Sequence, residues 1–194
     1  MADNLTSGTI GYVGAGPSGV LLERLSAEGL DSARDQLVTL LQSCVHSGAS
    51  LGFLAPLSDA EAAVYWNSVA PQLESGSRAL LVARDDANGC VVGSGQLAFE
   101  SKPNGRHRAE LNKIMVLPSH RRRGIAGRVM RALEDLARER SVWLLFLDTS
   151  EGFGGARALY ESLGYIYAGG IPDYALDPDG RPEKNAIYYK KLEG

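Results

Sequence analysis

With 194 residues, 44% hydrophobic and 22% charged, the chain is long enough for one domain with a sizeable core, and two domains would be cramped. A formal net charge of −3 argues against a dedicated nucleic-acid binder, and no apolar run approaches the ~20 residues of a membrane span. Cys44 and Cys90 stand alone, without Cys or His partners at ligand spacing, so neither a zinc site nor a disulfide framework is indicated; a cytoplasmic setting is expected.

The first nineteen residues contain a strand-like run from Ile10, then Gly14-Ala15-Gly16-Pro17-Ser18-Gly19, a match to the glycine fingerprint of dinucleotide-binding proteins. That fingerprint needs a helix after the glycines and then a second apolar strand ending in an acidic residue. The chain offers instead a short strand at Val20 to Leu25 and a capped helix from about Asp31 to His46, so residues 1–19 read as a turn-rich leader and 20–194 as the domain.

A second helix begins at Ser58-Asp59-Ala60-Glu61, a capping-box pattern, with Ala62, Tyr65, Trp66, Val69 and Leu73 on its apolar face. A hairpin follows: strand Arg78 to Arg84, turn Asp86-Ala87-Asn88-Gly89, strand Cys90 to Phe99. Another strand, about Arg108 to Val116, feeds an arginine loop and a helix to about Arg140. The continuous apolar run Val142 to Leu147 predicts a strand buried on both faces. A helix carrying Ala156, Leu159, Tyr160 and Leu163 should end at Gly164, and strands near Tyr165–Ala168 and Ala186–Leu192 flank a Pro/Gly-rich loop. This order predicts a mixed α/β sheet, not a doubly wound one.

The arginine loop is the most informative stretch. It joins Ile114-Met115-Val116, the end of a strand, to an amphipathic helix through Arg121, Arg122, Arg123, Gly124, Ile125, Ala126, Gly127 and Arg128. Glycines let the backbone approach a ligand, and the unpaired N–H groups of a first helical turn favour an anion. A basic run at a helix start is more often solvated surface, where cations slightly oppose the dipole. Here the Arg-x-x-Gly-x-Ala pattern of Arg121, Gly124 and Ala126 resembles the pyrophosphate signature of the GCN5-related N-acetyltransferases (GNAT), in the strand-loop-helix context that family uses. Ala156 to Tyr165 resembles its second signature. The segments His46–Phe53, Lys102–Gly105, Arg108–Glu110, Leu147–Thr149 and Pro178–Arg181 are similar to toxin-acetylating members of the family.

The resemblance implies a GNAT fold: a mostly antiparallel seven-stranded sheet, splayed at its central strands and flanked by about four helices. It also implies acetyl-CoA as co-substrate, no metal, and a small-molecule amine as the second partner. Nucleic acid and membrane are not expected as partners, and a homodimer is left open. The donor site would comprise residues 114–116 and 121–128, with backbone amides carrying most of the pyrophosphate binding. Phe153 stands where many members have an Asn that helps hold the pantetheine arm.

An alkylamine with pKa near 10.4 is mostly charged at neutral pH, so acetyl transfer needs a proton acceptor. Glu110 and Asp148 are, by the resemblance, base and amine-binding pair. Against this, Glu110 could pair with Arg108 on a strand edge, and Asp148 could begin a turn with Thr149. Tyr160 could protonate the departing thiolate or could be a packed core residue. Backbone N–H groups around Met115 and Val116 could serve a developing oxyanion if the sheet splays there. No cysteine context suggests a covalent acetyl-enzyme, so direct transfer is expected.

Overall fold

The computed structural model describes residues 10–16, 19–152 and 154–193. Its elements in chain order are β1 (Ile10–Gly16), β2 (Val20–Leu25), α1 (Ala27–Ser32), α2 (Arg34–His46), α3 (Asp59–Glu74), β3 (Arg78–Asp85), β4 (Val91–Phe99), β5 (Arg108–Val116), α4 (Ile125–Glu139), β6 (Leu144–Ser150), α5 (Gly154–Ser162), β7 (Ile166–Gly169), β8 (Ala175–Leu176), β9 (Pro182–Glu183) and β10 (Asn185–Lys191). Among the described residues, one eight-stranded sheet runs β1-β2-β3-β4-β5-β6-β10-β7, and β8 and β9 form a small separate hairpin. Every neighbouring pair in the large sheet is antiparallel except β5 and β6.

The seven expected strands are all present, and β1 is an eighth. Ile10–Gly16, expected within a turn-rich leader, instead pairs antiparallel with β2, with register shifts on both sides of Val13. An edge strand needs backbone partners on one side only, which lets a glycine-rich segment pair where a central strand would suffer. Gly16 ends one strand and Val20 begins the next, so the glycine fingerprint does not open a helix.

The expected helix from Asp31 divides in two. Ser26, not Asp31, caps the first piece, its Oγ accepting from the Gly29 amide at 3.0 Å, and the chain breaks at Ala33 before α2. The capping box at Ser58 forms in both directions: Glu61 N donates to Ser58 Oγ at 3.3 Å, and Ser58 N to Glu61 Oε2 at 3.0 Å. Both orphan amides are thereby satisfied, which fixes where α3 starts.

The sheet has a core on each face. Leu80, Val82, Val91 and Met115 pack with the apolar faces of α1, α2 and α3. Leu81, Ala83, Val92 and Leu97 pack with Ile125, Val129, Met130 and Leu133 of α4. Successive β3 residues serve opposite cores because side chains alternate across a strand. Each fully buried aliphatic side chain contributes about 1.5–3 kcal/mol, so α4 is held mainly by this stripe.

The β6 expectation needs correction. The strand starts at Leu144, Trp143 is 48% exposed, and burial alternates along the strand, with Leu145 and Leu147 buried and Asp148 exposed. Trp143 stacks instead on His107, ring centroids 4.5 Å apart. The reason is the sheet itself. β5 and β6 pair only at Arg108–Leu144, Ala109–Leu145 and Glu110–Phe146, then separate. Trp143 precedes the paired stretch and is left at its margin, and beyond that stretch Asp148, Thr149 and Ser150 line a cleft.

Candidate active site

The parting of β5 and β6 opens a cleft of about 1010 Å³. Ile114, Met115 and Val116 line it from β5, and Arg121, Arg122, Gly124, Ile125, Ala126 and Gly127 from the loop and first turn of α4. Glu110, Asp148 and Tyr160 line the same cleft. Residues spread over fifty positions of sequence thus share one cavity, because β5 leads into α4 and β6 leads toward α5.

At the α4 end, Gly124 occupies the N-cap with φ 74° and ψ 6°, a left-handed conformation that glycine adopts without steric cost. Arg122, at φ 64°, shares it. The Arg128 amide donates to the Gly124 carbonyl at 3.2 Å, closing the first turn, and its guanidinium donates to the Val20 carbonyl at 2.8 Å. Arg128 is therefore committed to the helix and to β2, and neither it nor Arg123 lines the cleft. The amides pointing outward belong to the turn before Arg128, a narrower set than the expected donor stretch 121–128. Arg121 is also docked, its Nη2 donating to Ser47 Oγ at 2.6 Å and its Nε to the Val116 carbonyl at 3.4 Å.

At the other end, both competing roles for the carboxylates fall away. Arg108 pairs with Glu100 at 2.8 Å, not with Glu110. Asp148 and Thr149 lie within β6, opposite Ile187 and Ala186 of β10, and make no turn. Burial raises the half-buried Glu110 carboxyl above the usual carboxylate range, and the Asp148 charge raises it further, against the lowering pull of Arg78 and Lys113. A carboxylate so placed is a better base than one in water.

Tyr160 is both packed and facing the cleft. It is 7% exposed, with ring centroids 6.3 Å from Tyr165 and 5.9 Å from Tyr188. Burial, reinforced by Asp148, pushes its hydroxyl up to about 12, so it stays protonated across the neutral range. Cys44 is buried, donates its thiol to the Val116 carbonyl at 3.5 Å and has a raised pKa from burial, the opposite of an activated nucleophile. Phe153 lies outside the described residues.

Sequence reasoning missed Lys113. On β4 Ser94 and Gln96 face Met115 and Asn112 of β5, so β5 carries an extra residue there, and Lys113 sits in this bulge at φ 52°. Its Nζ donates to the Leu51 carbonyl at 2.9 Å and lies 5.1 Å from the Tyr65 ring centroid and 5.6 Å from that of Phe53. Nothing in the alternation of residues 108–116 signals such a bulge. Also unforeseen were Ser50, Leu51 and Gly52 after α2, and Glu183, Lys184 and Asn185 after β8.

The sequence profile of the acetyltransferase (GNAT) family matches residues 45–165, more than half of the chain and the span from the last residues of α2 through α5. The chain belongs to the acetyltransferase (GNAT) family. The family uses acetyl-CoA as acyl donor. Among similar proteins is the uncharacterized N-acetyltransferase YhfO of Bacillus subtilis (strain 168), 33% identical over 108 residues, which cover 55% of this chain and 70% of YhfO. The uncharacterized N-acetyltransferase YsnE of the same organism is 36% identical over 76 residues, 38% of this chain and half the length of YsnE. The yncA protein of Salmonella typhimurium, solved with its cofactor acetyl-CoA, superposes with a TM-score of 0.71 at 15% identity, covering 90% of this chain and 95% of that one. That likeness establishes the GNAT fold expected from the sequence. Among the described residues of this GNAT chain, no helix is long and apolar enough to cross a membrane.

Proposed function

We propose that the protein transfers the acetyl group of acetyl-CoA to the primary amine of a small molecule, by direct attack within a ternary complex. The observation that carries this reading is the single cleft shared by the α4 amides, Tyr160, Glu110 and Asp148. The first-turn amides and Arg121 suit a pyrophosphate, by hydrogen bonding and by the positive end of the helix dipole. Glu110 takes the proton that the amine must lose before or during attack on the thioester carbonyl. Asp148 holds the ammonium form as it arrives. The strand-edge amide of Val116, where β5 has left β6, stabilises the oxyanion of the tetrahedral intermediate; the Met115 amide faces β4. When the C–S bond breaks, the Tyr160 hydroxyl protonates the thiolate.

A small acceptor is favoured by the loop after β7. Tyr174, Ala175, Glu183, Lys184 and Asn185 line the same cleft as Glu110. This segment is tied down by Ala55 N donating to the Pro178 carbonyl at 2.8 Å and Ile171 N to Asn185 Oδ1 at 2.8 Å. The resemblance of residues 46–53, 102–105 and 178–181 to tabtoxin resistance protein supports a role in detoxification or self-resistance, in which an amino-acid-like toxin is acetylated.

The test is thiol release from acetyl-CoA against a panel of amino acids, polyamines, aminoglycosides and short peptides. Turnover with small amines and intersecting initial-velocity patterns are expected. Parallel patterns would point to an acetyl-enzyme, and turnover with peptides alone would overturn the small-acceptor reading.

A further inference from the structure

We propose that Lys113 is a specificity-determining residue that binds a carboxylate on the acceptor, so that the enzyme selects amines which also carry an acid group over amines that do not. This rests on the acetyl-transfer reading above and narrows its substrate class.

Glu110 and Asp148 attract Lys113 from a distance, but neither makes a direct ion pair with it. Lys113 lines the cleft together with Glu110 and Leu51, and its one hydrogen-bond partner among the described residues is the Leu51 carbonyl. An ammonium has three N–H donors. No carboxylate lies within 4.0 Å of Nζ among the described residues, although a partly buried charge is costly unless paired. The Phe53 and Tyr65 rings hold the ammonium in place by their π faces without neutralising it. The bulge fixes its direction, since a lysine at φ 52° persists only where the surrounding structure requires it. Lys184, which also lines the cleft, already pairs with Glu151 at 3.0 Å.

The rest of that end of the cleft is charge-balanced for a zwitterion. Glu110 and Asp148 suit an ammonium. Arg78 acts electrostatically on both Glu110 and Lys113, but its guanidinium is occupied by Gln96 Oε1 at 2.5 Å and Asn112 Oδ1 at 2.9 Å. Lys113 is then the cation left to meet an incoming anion. A polyamine would bring further positive charge toward Lys113 and Arg78, and like charges in a half-buried site repel.

The experiment compares α- and ω-amino acids with their carboxamides, and with spermidine, in two assays. Titration calorimetry on the CoA-saturated protein measures binding, and thiol release from acetyl-CoA measures turnover. Loss of a hydrogen bond to a charged group corresponds to about 10–100-fold in affinity. Acids are therefore expected to bind and to be acetylated with KM lower by about that factor than their amides. Lys113→Met should erase the acid-over-amide ratio by raising KM for the acid, and Lys113→Arg should restore part of it. Retained CoA binding reports that each variant is folded. Acid-selective binding without thiol release would leave the role of Lys113 standing and overturn acetyl transfer. Thiol release with equal KM for acid and amide, an unchanged ratio in Lys113→Met, or no binding of any carboxylated amine by a protein that binds CoA would overturn the role of Lys113.

Discussion

Asp148 stands across the opening of the sheet from Glu110, two residues beyond Phe146, the last β6 residue to pair with β5, and its charge raises the Glu110 carboxyl. The proposed base thus owes part of its raised pKa to a residue on the far side of the cleft.

Replacing Glu110 with Gln should lower turnover by ~10²–10⁴-fold, the usual contribution of a positioned base, with little change in KM for acetyl-CoA. Steady-state kinetics at neutral and alkaline pH check this, and full turnover at both would remove Glu110 from the mechanism. The variant should also be more stable at neutral pH. The folded state raises the Glu110 pKa, so it favours the protonated form; stability from this group is complete below the unfolded pKa and is lost as pH rises through the folded one. A neutral Gln avoids that loss. Thermal melts of the two proteins should diverge at pH 7 and converge at pH 4.

Asp148→Asn removes the negative neighbour, so the Glu110 pKa should fall and the acidic limb of kcat/KM should move to lower pH. KM for the amine should rise as well. A pH–rate profile whose limb stays in place, or moves upward, would show that the two carboxylates are not coupled in the working enzyme.

Tyr160→Phe keeps the ring contacts with Tyr165 and Tyr188 and deletes only the hydroxyl. A loss of about 10²-fold in kcat is expected if the hydroxyl serves as general acid. With its pKa pushed up to about 12, Tyr160 should impose no basic limb at physiological pH. Wild-type turnover in the variant would assign Tyr160 to packing alone.

At the donor end, Gly124→Val should raise KM for acetyl-CoA by about tenfold or more, because a β-branched residue at φ 74° costs roughly 1–3 kcal/mol and shifts the amides at the helix start. A Cβ at this position would meet no protein atom within 4 Å, so crowding inside the protein is not the cause. Arg122→Ala, at an exposed position, should be milder. A larger defect in the arginine variant would mean that side-chain charge, not backbone amides, carries the pyrophosphate.

The Ser58 capping box, the hairpin at 78–99 and the strand-loop-helix through Gly124 were all legible in the sequence because each rests on local chemistry: a cap, a turn, a change of hydrophobic period. Gly164 also ends its helix at φ 84°, as its position suggested. Local pattern misled where it was silent about partners. Glycines at residues 11, 14 and 16 suggested turns, yet the free edge of β2 recruits them into a strand. The apolar run 142–147 suggested double burial, yet Trp143 lies outside the paired stretch of β6 and is exposed, and burial alternates from Leu144 to Leu147.

From sequence alone follow the order of seven strands and the longer helices, the family signatures and the residue types available for acetyl transfer, since these depend on neighbours a few positions apart. Tertiary structure decided which of them meet. Whether Arg108 takes Glu100 or Glu110, whether Arg128 faces a ligand or Val20, and whether Lys113 enters the cleft all depend on where β5 bulges and where it leaves β6. Those are properties of strand pairing between distant segments, and pairing across such distances leaves no trace in the periodicity of either strand alone.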